Sequence, residues 1–265
     1  MKNFINNQRL ADLAGVSFKS EKIQPGPIVY SRTHTVVKQF GILARYPECV
    51  LITSFSDSDC TDEMAEQLPS NVKMWFSNNV VTDNPRVTPV PIGLRTSPDG
   101  EERMRSAMEV GRLPERNLMY MNFMRHIPKR HDRPINPRAG LYEMFEGRSW
   151  VTTQGGTDHV PMNEFYEQML SHPFILSPPG AGPDCHRHWE SILLGSIPVV
   201  LKSPATRILE GLPCLQVDSW DEVTPDRLRM EYPELKKLFH SQRMDICWFE
   251  FWKDLILRTA ECKIL

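Results

Sequence analysis

The sequence predicts an α/β protein built as two halves. Short apolar runs of strand length alternate with segments of helical spacing, the pattern that strands joined by helical connections leave in a chain. Three of the runs, at residues 50–53, 118–123 and 174–177, pass directly into polar, basic or glycine-rich loops. One stretch, FILSPPGAGPDCHRHWESILLGSIPVVL at residues 174–201, contains a whole strand–loop–helix–strand unit. The halves join somewhere in residues 95–116.

In chain order, residues 1–26 are polar and show no strong period. Ile28, Val29, Tyr30 and Ser31 make a first short strand. Val36, Val37, Phe40 and Leu43 share one side of a helix over 35–43. Residues 50–53 are a buried strand that runs into Ser54-Phe55-Ser56-Asp57-Ser58-Asp59, and 63–68 is a short helix. Residues 72–76 alternate as a strand does. In 87–94, VTPVPIGL, the prolines mark an edge strand or an irregular one. Residues 101–112 read as an exposed helix. The run 118–123 leads into a basic loop carrying Arg125, His126, Lys129, Arg130, His131, Arg133 and Arg138. A helix follows at 140–145, a strand at 150–153 and a helix at 162–170. In the 174–201 unit, Pro178-Pro179-Gly180 continues neither strand nor helix. Trp189, Ile192 and Leu193 then set a helical face, and Gly195 ends it. Residues 215–217 form a strand, Ser219-Trp220-Asp221-Glu222 resembles a helix start with an acidic first turn, and an aromatic-rich helix spans 244–257.

Composition narrows the classes. With 265 residues, 40% hydrophobic and 24% charged, the chain is an ordinary globular one. A net charge of −2 gives no global case for nucleic acid or a membrane surface. No segment approaches the ~20 apolar residues of a membrane span, and the first residues lack the apolar core of a signal peptide; the expected location is the cytoplasm. The six cysteines form no C-x-x-C pair and are expected to be buried thiols.

In open α/β sheets, ligands bind beyond the carboxyl ends of strands. Three loops qualify: 122–130 with Asn122, Arg125 and Lys129, 152–157 starting at Thr152, and 178–187 with Pro179, Gly180, Gly182, Asp184 and Arg187. The last opens a helix, whose first N–H groups attract anions. Arginine binds phosphate oxygens in pairs, so Arg187, with Arg125 and Lys129, suits a diphosphate; the remaining basic residues of 125–138 suit a solvated loop. Glu190, one turn after Arg187, can accept hydrogen bonds from a ribose diol. The plainer alternative is a solvated Arg187–Glu190 pair at i, i+3. Neither a P-loop nor a G-x-G-x-x-G fingerprint is present. Asp57-Ser58-Asp59 has the D-x-D form that often holds a metal, but here Asp57 fits a general base better, or simply an Asx turn. Asp158 with His159 is a second acid–base candidate.

The blocks Phe-x-Leu-Ser-Pro-x-Gly (174–180), Asp-x-His-Arg-x-Trp-Glu (184–190) and Gly-Ser-Ile-Pro-Val-Val (195–200) resemble the exostosin-like glycosyltransferases. Leu212-Pro213 and Val217-Asp218-Ser219-Trp220 resemble them too, with weaker similarity at 51–57, 75–79, 91–94 and 118–123. The resemblance implies a GT-B architecture, two Rossmann-like domains with the active-site cleft between them. Residues 1–110 would form the acceptor side and 111–243 would bind a nucleoside-diphosphate sugar such as a UDP-sugar. The helix over 244–265 would pack back on the first domain. It further implies an inverting hexosyl- or pentosyltransferase without a D-x-D metal, acting on a glycan or other hydroxyl, with Arg187 on the diphosphate and Glu190 on the ribose. Unlike animal and plant members the chain shows no membrane anchor, and it is short for two full domains; both departures suggest a bacterial or viral enzyme. A non-catalytic nucleotide-sugar or glycan-binding module, and a viral transferase acting on modified bases in DNA, are the alternatives.

Overall fold

The computed structural model describes residues 2–14, 16–17, 27–127, 136–156 and 160–261. The chain divides into two compact units: 1–96, 182–184 and 245–265 form the first, and 97–181 and 185–244 the second. Each contains one five-stranded sheet. All strand pairs in both sheets are parallel. This is the predicted class, α/β with two parallel-sheet units.

In the first unit the strands are β1 (Val16–Ser17), β2 (Ile28–Arg32), β3 (Cys49–Ser54), β4 (Val72–Ser77) and β5 (Val87–Pro89). Their order across the sheet is β1-β2-β3-β4-β5, so among the described residues it never reverses. Central β3 is buried along its whole length, as parallel strands covered on both faces are. Its hydroxyl residues are satisfied: Thr53 Oγ1 accepts from Trp75 Nε1 at 2.8 Å and lies 2.7 Å from Ser77 Oγ, and Ser54 Oγ lies 3.0 Å from Tyr30 OH. The strand expected over 87–94 stops at Pro89, because Pro89 and Pro91 offer no N–H to a ladder.

Both ends of the chain differ from the sequence expectation. Residues 7–12 form a helix, capped by Asn6 Oδ1, which accepts from Arg9 N at 2.9 Å. Phe4, Ile5 and Leu10 are buried. Six residues are too few to show a helical period, which is why the segment looked featureless. The final helix begins at Phe249, not Met244; a 3-10 segment, Gln242–Cys247, precedes it. Trp252 Nε1 closes that junction by donating to Ile246 O at 2.7 Å. Trp248 stacks on Phe4 with centroids 5.3 Å apart, and Glu250 accepts from Asn3 N at 3.0 Å.

The second unit contains β6 (Met119–Met121), β7 (Val151–Thr153), β8 (Phe174–Leu176), β9 (Ile197–Leu201) and β10 (Leu215–Val217). Their order is β10-β9-β8-β6-β7. The chain leaves β6 for β7 on one side and then returns to β8 on the other, so the order reverses between β6 and β8. Met119, Met121, Phe174, Leu176, Ile197 and Val199 pack in one core cluster, while Tyr120, Ile175 and Val200 are buried on the opposite face. The sequence missed one helix, Pro225–Lys237. The expected start at Ser219 is only a 3-10 turn, Trp220–Glu222, closed by its own capping box. Thr224 then caps a new helix with Pro225 at its first position, where proline's missing N–H costs nothing.

In the first unit Leu94 N donates to Ile5 O at 2.9 Å, and Gly93 has φ +64°. A Cβ there would overlap the Ile5 carbonyl. Gly93→Ala is therefore expected to destabilise the protein by roughly 2–4 kcal/mol, combining overpacking with a left-handed backbone. Thermal denaturation checks this; an unchanged midpoint would show that the Ile5 segment shifts freely.

Candidate functional site

The reversal between β6 and β8 is a topological switch point, where the loops leaving two adjacent strands diverge and open a crevice. Met121 pairs with Leu176 at the ends of these strands, so the loops starting at Asn122 and Ser177 leave side by side. The β8 ladder ends with Ser177 N donating to Val199 O at 2.9 Å. Pro178 and Pro179 then lack the N–H groups needed to extend it, and their carbonyls turn to side chains instead. Arg138 Nε donates to Pro179 O at 3.0 Å, and Arg187 Nη1 lies 3.5 Å from Pro178 O.

These two guanidinium groups define the character of the site. Arg138 is only 8% exposed. It is fixed by Nη1 donating to Met124 O at 3.0 Å and by its own N–H on Asn136 Oδ1 at 3.1 Å. Burial, and then the Arg187 charge beside it, push its pKa down to about 10. Two cations that destabilise each other in a partly buried loop are a standing electrostatic demand for an anion. Arg187 Nε is buried without a hydrogen-bond partner. The expectation that Arg138 belongs to the solvated part of the basic loop is corrected by its burial and its bonds to Pro179 and Met124.

The helix that follows, His186–Leu193, begins at Cys185, whose side chain makes no capping hydrogen bond. Cysteine at this position does not supply the strong side-chain acceptor that Ser or Asp would. Trp189 and Ile192 bury its apolar side, and Gly195, at φ +74°, ends it. Glu190 is fully buried, and neither carboxylate oxygen has a hydrogen-bond partner among the described residues. The alternative of a solvated Arg187–Glu190 pair therefore fails. A buried carboxylate without donors costs several kcal/mol, and such groups occur where a ligand or water completes them.

A thiol shares this corner. Cys185 Sγ lies 3.6 and 3.5 Å from the two ring nitrogens of His188. Ser177 Oγ is 2.7 Å from His188 Nδ1. Burial raises the thiol pKa, but His188, Arg187 and Arg138 outweigh it and bring it down to about 6.

The remaining expected residues are placed as follows. Arg125 lies with its guanidinium carbon 3.8 Å from the Tyr142 ring centroid and Nη2 2.9 Å from Glu146, so its charge is matched internally. Asn122 Nδ2 donates to Tyr120 OH at 2.7 Å. Thr152 Oγ1 bonds His172 Nε2 at 2.8 Å, away from the loop carbonyls. Pro179 and Gly180 are part-exposed in the loop itself. Gly182 and Asp184 belong to the first unit. Asp184 Oδ2 accepts from Ile92 N at 2.8 Å and its N–H donates to Asn79 Oδ1 at 3.0 Å; a Cβ on Gly182 would meet Asn79 Nδ2 at 2.9 Å. Asp57, also in the first unit, is exposed beyond β3. Two non-glycine residues with positive φ, Phe55 at +50° and Asn79 at +52°, follow β3 and β4. Lys129, Asp158 and His159 lie outside the described residues. Among the described residues no three His, Cys, Asp or Glu side chains gather closely enough to hold a metal ion, and no helix is long and apolar enough to cross a membrane. The five described cysteines are free; all but Cys185 are buried.

No family model and no curated protein matches the chain. Among solved structures it is similar to a chain of the GtfA/B complex, with 11% sequence identity and a TM-score of 0.39, covering 90% of this chain and 54% of that one. It is also similar to the wall teichoic acid polymerase TagF, with 11% identity and a TM-score of 0.29, covering 89% of this chain and 90% of that one. The chain thus spans about half the length of the GtfA/B chain. These matches do not place it in the exostosin-like family, and the resemblance to that family rests on the residues quoted for it.

A buried carboxylate without hydrogen-bond partners weakens the fold that holds it. Glu190→Met, close in shape and without charge, is expected to raise the stability of the unliganded protein by roughly 1–3 kcal/mol. A thermal melt without nucleotide measures this; a lowered midpoint would make Glu190 a structural group.

Proposed function

We propose that the chain is a glycosyltransferase whose second unit binds a nucleoside-diphosphate sugar, a UDP-sugar by preference, at the β6/β8 switch point. One observation carries the reading: a fully buried, unpartnered Glu190 stands one helical turn from a cationic corner formed by Arg187 and Arg138. A ribose diol supplies two O–H donors to such a carboxylate, and a diphosphate supplies anionic oxygens to the guanidinium groups and to the helix N-terminus. A nucleoside diphosphate carries both, at a spacing of about one helical turn (~5 Å).

The chemistry follows from the same groups. When the glycosidic bond to the diphosphate breaks, negative charge grows on the leaving oxygen. Arg187 and Arg138, already held by the proline carbonyls, stabilise that charge without reorganising. The acceptor hydroxyl must lose a proton to a general base as the new bond forms, the role for which the sequence offers Asp57. One in-line displacement inverts the anomeric centre. The reading assigns charge neutralisation at the leaving group to arginine side chains.

Arg187→Ala is expected to weaken UDP binding by roughly 10- to 100-fold, the loss of a charge-assisted hydrogen bond, while circular dichroism and the melting midpoint stay near wild type. Calorimetric titration with UDP reads the first and release of free UDP from UDP-sugars reads turnover. Wild-type affinity in the variant would remove the diphosphate role. Tight UDP binding without any UDP release, across sugars and with Asp57 intact, would identify a binding module instead.

A further inference from the structure

Cys185 has no part in the donor reading, yet its surroundings are those of an activated nucleophile. It starts a helix, so the positive end of the backbone dipole faces its sulfur. His188 stands against it, and Ser177 Oγ, 2.7 Å from Nδ1 of the same ring, helps fix the imidazole in place. Ser177 Oγ is itself 3.9 Å from the sulfur. Cationic groups face it from two directions, Arg187 on its own helix and Arg138 from the loop before the helix Leu141–Phe145. His188 is buried while Cys185 remains part-exposed. A part-exposed thiol beside a histidine and two arginines at a helix start has the environment of reactive cysteines and not of inert core thiols.

We infer that Cys185 is a selective covalent modification site for soft electrophiles, alkylating agents and peroxides, and that a group on its sulfur blocks diphosphate binding at the same loop. The second half rests on the donor reading above. Its geometric basis is shared: Cys185 Sγ is 3.8 Å and Arg187 Nη1 3.5 Å from the same carbonyl, Pro178 O. A substituent on the sulfur grows beside the guanidinium that would hold phosphate. In alkylation by iodoacetamide, the thiolate forms a C–S bond as the C–I bond breaks, and iodide leaves. With a peroxide, the sulfur forms an S–O bond as the O–O bond breaks. The sulfur loses two electrons, the peroxide gains them, and the departing hydroxide takes a solvent proton to become water.

The contrast with the other thiols is physical. Burial pushes Cys49 up to about 11 and Cys60 up to about 12, and it raises Cys214 as well. These stay protonated and enclosed. For Cys185 the test is the shape of the rate against pH, since a low-pKa thiolate is also a weaker nucleophile and gains less at neutral pH than its ionisation suggests.

The experiment is iodoacetamide alkylation of the intact folded protein from pH 4.5 to 9.5, with the modified residue located by mass spectrometry, with and without UDP. The expected result is modification at Cys185 with a rate that is half-maximal near pH 6 and flat above pH 7, and slowed several-fold by saturating UDP. His188→Gln should move the midpoint toward the ordinary thiol range; should that variant not fold, the wild-type profile decides alone. A midpoint between pH 8 and 9, or faster labelling of another cysteine, overturns the reactive thiol. If UDP binds by calorimetry but leaves the rate unchanged, the link to the diphosphate site is overturned. If UDP does not bind the untreated protein, the donor reading falls, and the pH profile still judges the thiol by itself.

Discussion

The second unit's chemistry depends on two prolines that end a strand. β8 belongs to a fully hydrogen-bonded parallel sheet up to Ser177, and Pro178 and Pro179 cannot continue the ladder. Their carbonyls are the fixed points onto which Arg138 and Arg187 fold. The Cys185 sulfur approaches the first of them as well. Replace the stop by residues that extend the strand, and the helix start, the cationic corner and the crevice lose their common anchor. The sheet topology decides why this anchor matters. The order reverses between β6 and β8, so the loop after β8 faces an opening and not another crossover. The first unit's sequential order contains no such reversal among the described residues.

The site pairs two opposite electrostatic liabilities without letting them cancel. Burial, and then the Arg187 charge beside it, depress the tendency of Arg138 to stay charged. Glu190 is fully buried and unpartnered one turn along the helix. A protein selected only for stability would join these groups in an ion pair or replace them with apolar residues. Keeping both apart is a form of stored instability, which on the proposed reading the donor would relieve. Cys185 supplies a partial internal answer, an anion of the protein's own beside the same cations.

Much of this was legible in the chain, and the failures have physical causes. The 174–201 unit could be read almost residue by residue, because its prolines, helical apolar spacing and terminal glycine are local signals. The expected helix over 162–170 is the observed Met162–Leu170. Strand order was not readable, since the same alternation of strands and helices builds either a sequential or a reversing sheet. Arg138 sits 41 residues from its partner Pro179. Only Asn136-Pro137 hinted at the tight turn that aims it inward. Arg125 looked equally cationic, but Tyr142 and Glu146 claim it from a neighbouring helix. The burial of Glu190 is set by tertiary packing around the helix, although its place beside Trp189 was a clue. Cys185 and His188, three apart at a helix start, were visible as a pair and passed over as ordinary packing.

The first unit is not one continuous piece of chain: it needs residues 1–96 together with 245–265. Phe4 stacks on Trp248, and the backbone of Asn3 meets Phe249 and Glu250. In chain order, the partners of Phe4 and Asn3 at residues 248–250 are made only after the whole of residues 97–244. The second unit can therefore complete itself before the first is closed. The helix Phe249–Glu261 acts as a latch on folding, and truncation before Trp248 would leave Phe4 without its stacking partner.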